Sequence, residues 1–147
     1  MTSITPLRDL LDRLLRLLSA DLRLGGLNPV QRAAIEYLAR ANRFSRQPSH
    51  VADYLAATRG TMSQTLKSLV QKGLVSEARA PEDGRVTRLS LTPAGRTTAE
   101  ARRELDGVLA AIPDAERIAL TAGLGRIVGS LVAGRGGRSF GLCATCR

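Results

Sequence analysis

The segment from Ser49 to Thr92, SHVADYLAATRGTMSQTLKSLVQKGLVSEARAPEDGRVTRLSLT, constrains the fold more than any other part of the chain. Two short helical patterns come first, and Gly73 ends the second. Two β-prone runs follow, Leu74 to Arg79 and Arg85 to Leu91, around the turn Ala80-Pro81-Glu82-Asp83-Gly84. Pro and Gly fall where a turn favours them. This order predicts a helix-turn-helix with an attached hairpin, the outline of a winged helix. Such a unit places one helix in a DNA major groove and the hairpin beside it.

The flanking sequence extends the pattern. Thr5-Pro6, Asn28-Pro29 and Thr92-Pro93 each pair a capping residue with a proline, which marks a helix start. A first helix is expected from Pro6 to Leu22, with Leu7, Leu10, Leu11, Leu14, Leu15, Leu17 and Leu18 as its apolar stripe. Gly25-Gly26 should end it. A second helix is expected from Pro29 to Ala41, with Ala34, Ile35 and Leu38 inward. A polar loop, Asn42 to Pro48, precedes a third helix capped by Ser49 that carries Val51, Ala52 and Leu55 inward. Thr58 should cap a fourth, from Arg59 to Lys72. One long helix is expected from Thr92 to Ala111, a break at Pro113, and a last helix from Asp114 to Ala133. The fold class is mainly α with a small β-hairpin wing.

The fourth helix divides into two faces. Met62, Leu66, Leu69 and Val70 read as core. Arg59, Thr61, Ser63, Gln64, Thr65, Lys67, Ser68 and Gln71 read as surface, and no acid lies between Arg59 and Lys72. Such a surface approaches phosphates without repulsion. Gln pairs with adenine, Arg or Lys with guanine, and Ser or Thr with several base edges. The expected DNA contacts are Thr58, Arg59, Thr61, Ser63, Gln64 and Lys67, joined by Arg85 and Arg88 on the wing. The helix starts at Ser49 and Thr58 add backbone N–H groups for phosphate. Arg85, just past the turn, suits a narrow minor groove. Asp83 is read either as an acid that pairs with and orients an arginine or as a plain turn former.

Charge agrees with this reading. Lys plus Arg is 22 against 13 acids, a formal net charge of +9, which favours a polyanionic partner. Lys67 and Lys72 are the only lysines, and an arginine excess of this kind also follows from a GC-rich genome. No apolar run approaches bilayer length, and the N-terminus lacks the pattern of a signal peptide, so a cytoplasmic protein without a membrane partner is expected.

The chain resembles the MarR family of regulators. The resemblance rests on Val51-Ala52 through Lys72-Gly73-Leu74-Val75, on Asp83-Gly84-Arg85, and on Leu91-Thr92-Pro93-Ala94-Gly95, and it extends to Ala133. It implies a non-enzymatic transcriptional regulator, usually a repressor, that binds a pseudo-palindromic duplex as a homodimer. Residues 1–147 then form one chain with a winged-helix lobe at 28–92, dimerisation helices at 5–24 and 93–134, and a tail at 135–147. The apolar stripes of the terminal helices support the dimer independently, because one lobe cannot cover them all. Ile118, Leu120, Leu124, Ile127, Val128, Leu131 and Val132 form the stripe of the last helix. Packing of the two helices on each other within one chain is the alternative.

The tail carries Cys143-x-x-Cys146. In a reducing compartment this spacing suggests metal or redox chemistry. A zinc site needs four ligands, which two tails meeting across a dimer axis would supply; the alternatives are an internal disulfide under oxidant and inert thiols. No cofactor is otherwise expected. A thiol- or metal-responsive sensor is thus the second functional reading, beside release by a small-molecule effector. Tyr37, Phe44 and Tyr54 are expected to pack in the core rather than line an effector cleft, and His50 to lie in a surface or capping loop. No nucleophile–base–acid arrangement is visible.

Overall fold

A computed structural model describes residues 3–21, 26–81, 83–101 and 104–134. The element order is α1 (Thr5–Asp21), α2 (Pro29–Arg40), α3 (Pro48–Tyr54), α4 (Arg59–Gln71), β1 (Val75–Ala80), β2 (Asp83–Leu91), α5 (Pro93–Glu100), α6 (Glu104–Ala111) and α7 (Asp114–Gly134). The cysteine tail expected at residues 135–147 lies outside the described residues.

Local chemistry sets the helix ends. Asn28 Oδ1 accepts from Gln31 N at 2.8 Å, and Gln31 Oε1 accepts from Asn28 N at 3.0 Å. This capping box, with Pro29 behind it, fixes the start of α2. The other end of the Gln31 side chain donates to Ser68 Oγ at 2.9 Å and ties α2 to α4. Pro48 opens α3, so Gln47 is its cap residue and Ser49 is already helical, against expectation. A proline at the first helical position leaves no N–H to satisfy there, and the helix starts two residues earlier than a Ser49 cap would set it.

The two helices of the helix-turn-helix end in the same way. After α3, Ala56 N donates to Asp53 O and Ala57 N to Ala52 O; after α4, Gly73 N donates to Val70 O and Leu74 N to Leu69 O. Both are Schellman motifs, with a left-handed residue just past the helix. Gly73 (φ 69°) adopts that conformation without strain, whereas Ala56 (φ 51°) carries a Cβ into it.

The core lies within the lobe. Ile35, Leu38, Val51, Met62, Leu66, Leu69, Val75 and Leu89 are fully buried, drawn from α2, α3, α4 and the hairpin. The strands pair antiparallel, Val75 opposite Leu91, Glu77 opposite Leu89 and Arg79 opposite Thr87, with an irregularity at Arg79–Ala80. Arg46 O accepts from Leu89 N at 2.8 Å, so the α2–α3 loop is stitched to the wing.

Thr92 joins the end of α4 to the start of α5. Its Oγ1 donates to Gly73 O at 2.7 Å and accepts from Gly95 N at 3.0 Å, while its N–H donates to Leu74 O at 3.1 Å. A Cβ on Gly95 would lie 2.0 Å from Leu74 O. The Leu-Thr-x-x-Gly spacing is therefore a structural lock, in which only a hydrogen fits between α5 and the α4–β1 turn.

Further expectations are corrected. The long helix from Thr92 to Ala111 is two helices, because Ala101 turns extended (ψ 122°) after α5. Val70 is partly exposed rather than core, and Thr65 is buried rather than surface. Thr65 is accommodated because its hydroxyl donates to Thr61 O at 2.9 Å, which satisfies the buried donor. Phe44 and Tyr54 are exposed rather than core, Phe44 beneath the Arg43 guanidinium and Tyr54 with its ring tilted against buried Tyr37 at 4.7 Å. Finally, α7 is one 21-residue helix long and apolar enough, by length and composition alone, to span a membrane; its Gly, Ala, Ser and Thr residues break the apolar runs in sequence without lowering its mean hydropathy much.

Among the described residues, none from α1, α6 or α7 joins the buried core. Leu7, Leu10, Leu14, Leu15 and Leu17 of α1 are exposed, as are Ile118, Leu120, Leu124, Ile127, Val128 and Leu131 of α7.

Candidate nucleic-acid interface

Helix α4 is held against the lobe by Met62, Thr65, Leu66 and Leu69, and the opposite side faces solvent. Thr58 caps it, its Oγ1 accepting from Thr61 N at 3.1 Å and donating to Thr61 Oγ1 at 2.9 Å. Both hydroxyls are therefore engaged in building the helix start. Ser63, Gln64 and Lys67 are exposed and make no side-chain hydrogen bond among the described residues. Their donors and acceptors are turned to water on a rigid support.

Arg59, Ser63 and Lys67 recur at intervals of four, so they share one stripe. That stripe borders a cleft of ≈ 430 Å³ whose far wall is the hairpin, at Glu77 and Thr87. Glu77 reaches the cleft because it pairs across the ladder with buried Leu89 and so stands on the inner face of the hairpin. Arg85 is exposed at the tip of the wing. Asp83 Oδ1 accepts from the Arg85 backbone N–H at 2.9 Å, so Asp83 shapes the turn as an Asx-type acceptor. Arg88 is half-buried and lies on the opposite hairpin face from Leu89, away from the α4 stripe.

The structure thus brings Arg59, Ser63, Gln64 and Lys67 together on one helix, with Arg85 at a separate protrusion. Two acids from other elements stand beside α4. Asp53 of α3 binds Arg59, with Oδ1 3.0 Å from Nη2. Glu77 faces the stripe from the wing. Both come from other elements, so the absence of acids between Arg59 and Lys72 did not reveal them. The register of the hairpin held the signal for Glu77. His50 lies within α3, half-buried. Among the described residues no three His, Cys, Asp or Glu side chains gather as a metal site, and Cys143 and Cys146 fall outside those residues.

A supporting helix, a tight turn, a second helix with one exposed face on a buried core and an antiparallel hairpin define a winged helix-turn-helix protein. Residues 25–86, most of the winged-helix lobe, match the model of the MarR family. Solved structures of similar fold include a mutant of MepR from S. aureus (21% identity, 89% of this chain and 99% of that one, TM-score 0.69). FabT of Streptococcus pneumoniae in complex with DNA is similar at 23% identity, over 86% of this chain and 93% of that one, with TM-score 0.67. The transcriptional repressor CouR, bound to a 23-mer DNA duplex, is similar at 26% identity over 87% and 99% of the two chains, with TM-score 0.67. A comparison with curated proteins finds no match.

Proposed function

We propose that this chain is a transcriptional regulator that binds double-stranded DNA as a homodimer, each copy laying α4 in a major groove and its wing along the adjacent minor groove. The observation that carries the reading is the α4 face. Ser63, Gln64 and Lys67 project hydrogen-bonding groups with no side-chain partner among the described residues, while the other side of the helix is anchored in the core. The DNA complexes of FabT and CouR support it by similarity of fold. The exposed stripes of α1 and α7 supply the dimer contact, and a two-fold dimer reads a pseudo-palindromic site. Repression from such a site in the cytoplasm, relieved by a small molecule, is the role this arrangement suits. Footprinting on the DNA flanking the chain's own gene tests it. A protected inverted repeat supports the reading, and failure to bind any duplex at low salt refutes it.

The Cys143-x-x-Cys146 spacing favours a second reading of the release step, in which oxidation or metal binding at these thiols triggers it. Thiol counting and metal analysis of purified protein address this directly. Unchanged release of a double serine variant by oxidant or metal would eliminate it.

A further inference from the structure

Asp53 and Arg59 each sit at the unfavourable end of their own helix. Asp53 lies in the last turn of α3 (Pro48–Tyr54), beside its carbonyl end, and Arg59 opens α4, beside its N–H end. A carboxylate is disfavoured at a helix C-terminus and a guanidinium at an N-terminus. Each charge therefore works against its own helix, and the pairing sets each beside the favourable end of the neighbouring one. The two meet across the turn, Asp53 Oδ1 to Arg59 Nη2 at 3.0 Å, with the side chains 42% and 63% exposed. An ion pair so open to water is weak and readily exchanged. It stands beside the first backbone N–H groups of α4, where a phosphate would arrive if the helix enters a groove.

We infer that Asp53 is a positioning residue that sets DNA specificity by holding Arg59 in an ion pair off DNA and yielding it only to a duplex that seats α4 fully. The inference rests on the DNA-binding reading above. An unpaired Arg59 would bind any phosphate and strengthen binding to all sequences alike. Pairing removes that generic gain. A glancing contact offers Arg59 one phosphate in place of one carboxylate, a near-even exchange. Full seating of α4 adds the contacts of Ser63, Gln64 and Lys67, and the exchange then proceeds as part of a larger set.

The test uses the full chain and a mixed-sequence duplex, with fluorescence anisotropy across a salt series. Asp53→Asn should tighten mixed-sequence binding about three- to tenfold and steepen the slope of log affinity against log salt by about one. Asp53→Glu, which keeps the carboxylate, should restore wild-type behaviour. Arg59→Gln added to Asp53→Asn should return the slope to wild type, because the effect runs through Arg59. On the tightest duplex selected from a random pool, Asp53→Asn should lower the ratio of selected to mixed-sequence affinity. Unchanged mixed-sequence affinity and slope in Asp53→Asn would overturn the inference. An equal gain with and without Arg59 would also overturn it, since that is a bulk charge effect. Lack of any duplex binding by the wild-type chain is a separate result, and it defeats the DNA-binding reading itself.

Discussion

Replacing Gly95 by alanine should cost this fold about 2–4 kcal/mol, and the reason is a single contact. The added Cβ would stand 2.0 Å from Leu74 O and 3.3 Å from a Leu91 methyl carbon. Relieving the first contact takes a shift of about 1 Å between α5 and the α4–β1 turn, and forced overpacking of this kind costs about 1–3 kcal/mol. The shift also pulls on linked hydrogen bonds, since Thr92 N donates to the same Leu74 O and Thr92 Oγ1 spans Gly73 O and Gly95 N. Losing one of them adds about 1 kcal/mol. Alanine's better helix propensity returns at most about 1 kcal/mol, and less in a first turn. At about 3 °C per kcal/mol for a chain of this size, the melting temperature should fall by roughly 6–12 °C. Circular dichroism melts, with urea midpoints as an equilibrium check, measure it. Gly60→Ala is the control, because no atom lies within 4 Å of its added Cβ. A Gly95→Ala protein that melts within about 2 °C of wild type would refute the reasoning, since it would mean that α5 is not locked against the turn.

Ala56→Gly should stabilise the chain by about 1 kcal/mol, because it removes a Cβ from the left-handed position (φ 51°) that Gly73 occupies without penalty after α4; a urea titration reads the change. Arg85→Ala should weaken binding to every duplex and reduce the salt slope by about one, leaving base preference intact. Gln64→Ala should instead change the preferred base at one position of each half-site by about 1–3 kcal/mol, measurable by competition among single-base variants. Leu124→Asp on the exposed face of α7 should convert a dimer to a monomer in sedimentation while the circular dichroism of the lobe persists, because Leu124 contributes nothing to the buried core.

The lobe was legible because its signals are local. Asn28-Pro29, Thr58, Gly73 and Thr92-Pro93 each act on neighbours within four residues, and the structure places helix ends at all of them. The α5–α6 break was not legible. The run TTAEARRELDG has no proline and only a late glycine, so nothing local announces the extended backbone at Ala101. The faces of α4 were right except at Thr65 and Val70, where polarity misled: a hydroxyl bonded to the preceding turn is as easily buried as a methyl. At the candidate interface, Ser63, Gln64, Lys67 and Arg85 lie exposed where the pattern put them. Asp53 and Glu77 were missed because their roles depend on tertiary approach. One reaches across a turn, and the other is turned inward by the register opposite Leu89.

Helix α7 has a consequence for how such a chain must be made. Six large apolar side chains along its length meet water in the single copy, and none of its residues is buried. A newly synthesised copy therefore carries an adhesive strip until something covers it, and the wait lengthens as copies become scarce. Where cover comes from a second copy, resistance to unfolding becomes a function of concentration rather than a constant of the sequence. Dilution then acts as a denaturant.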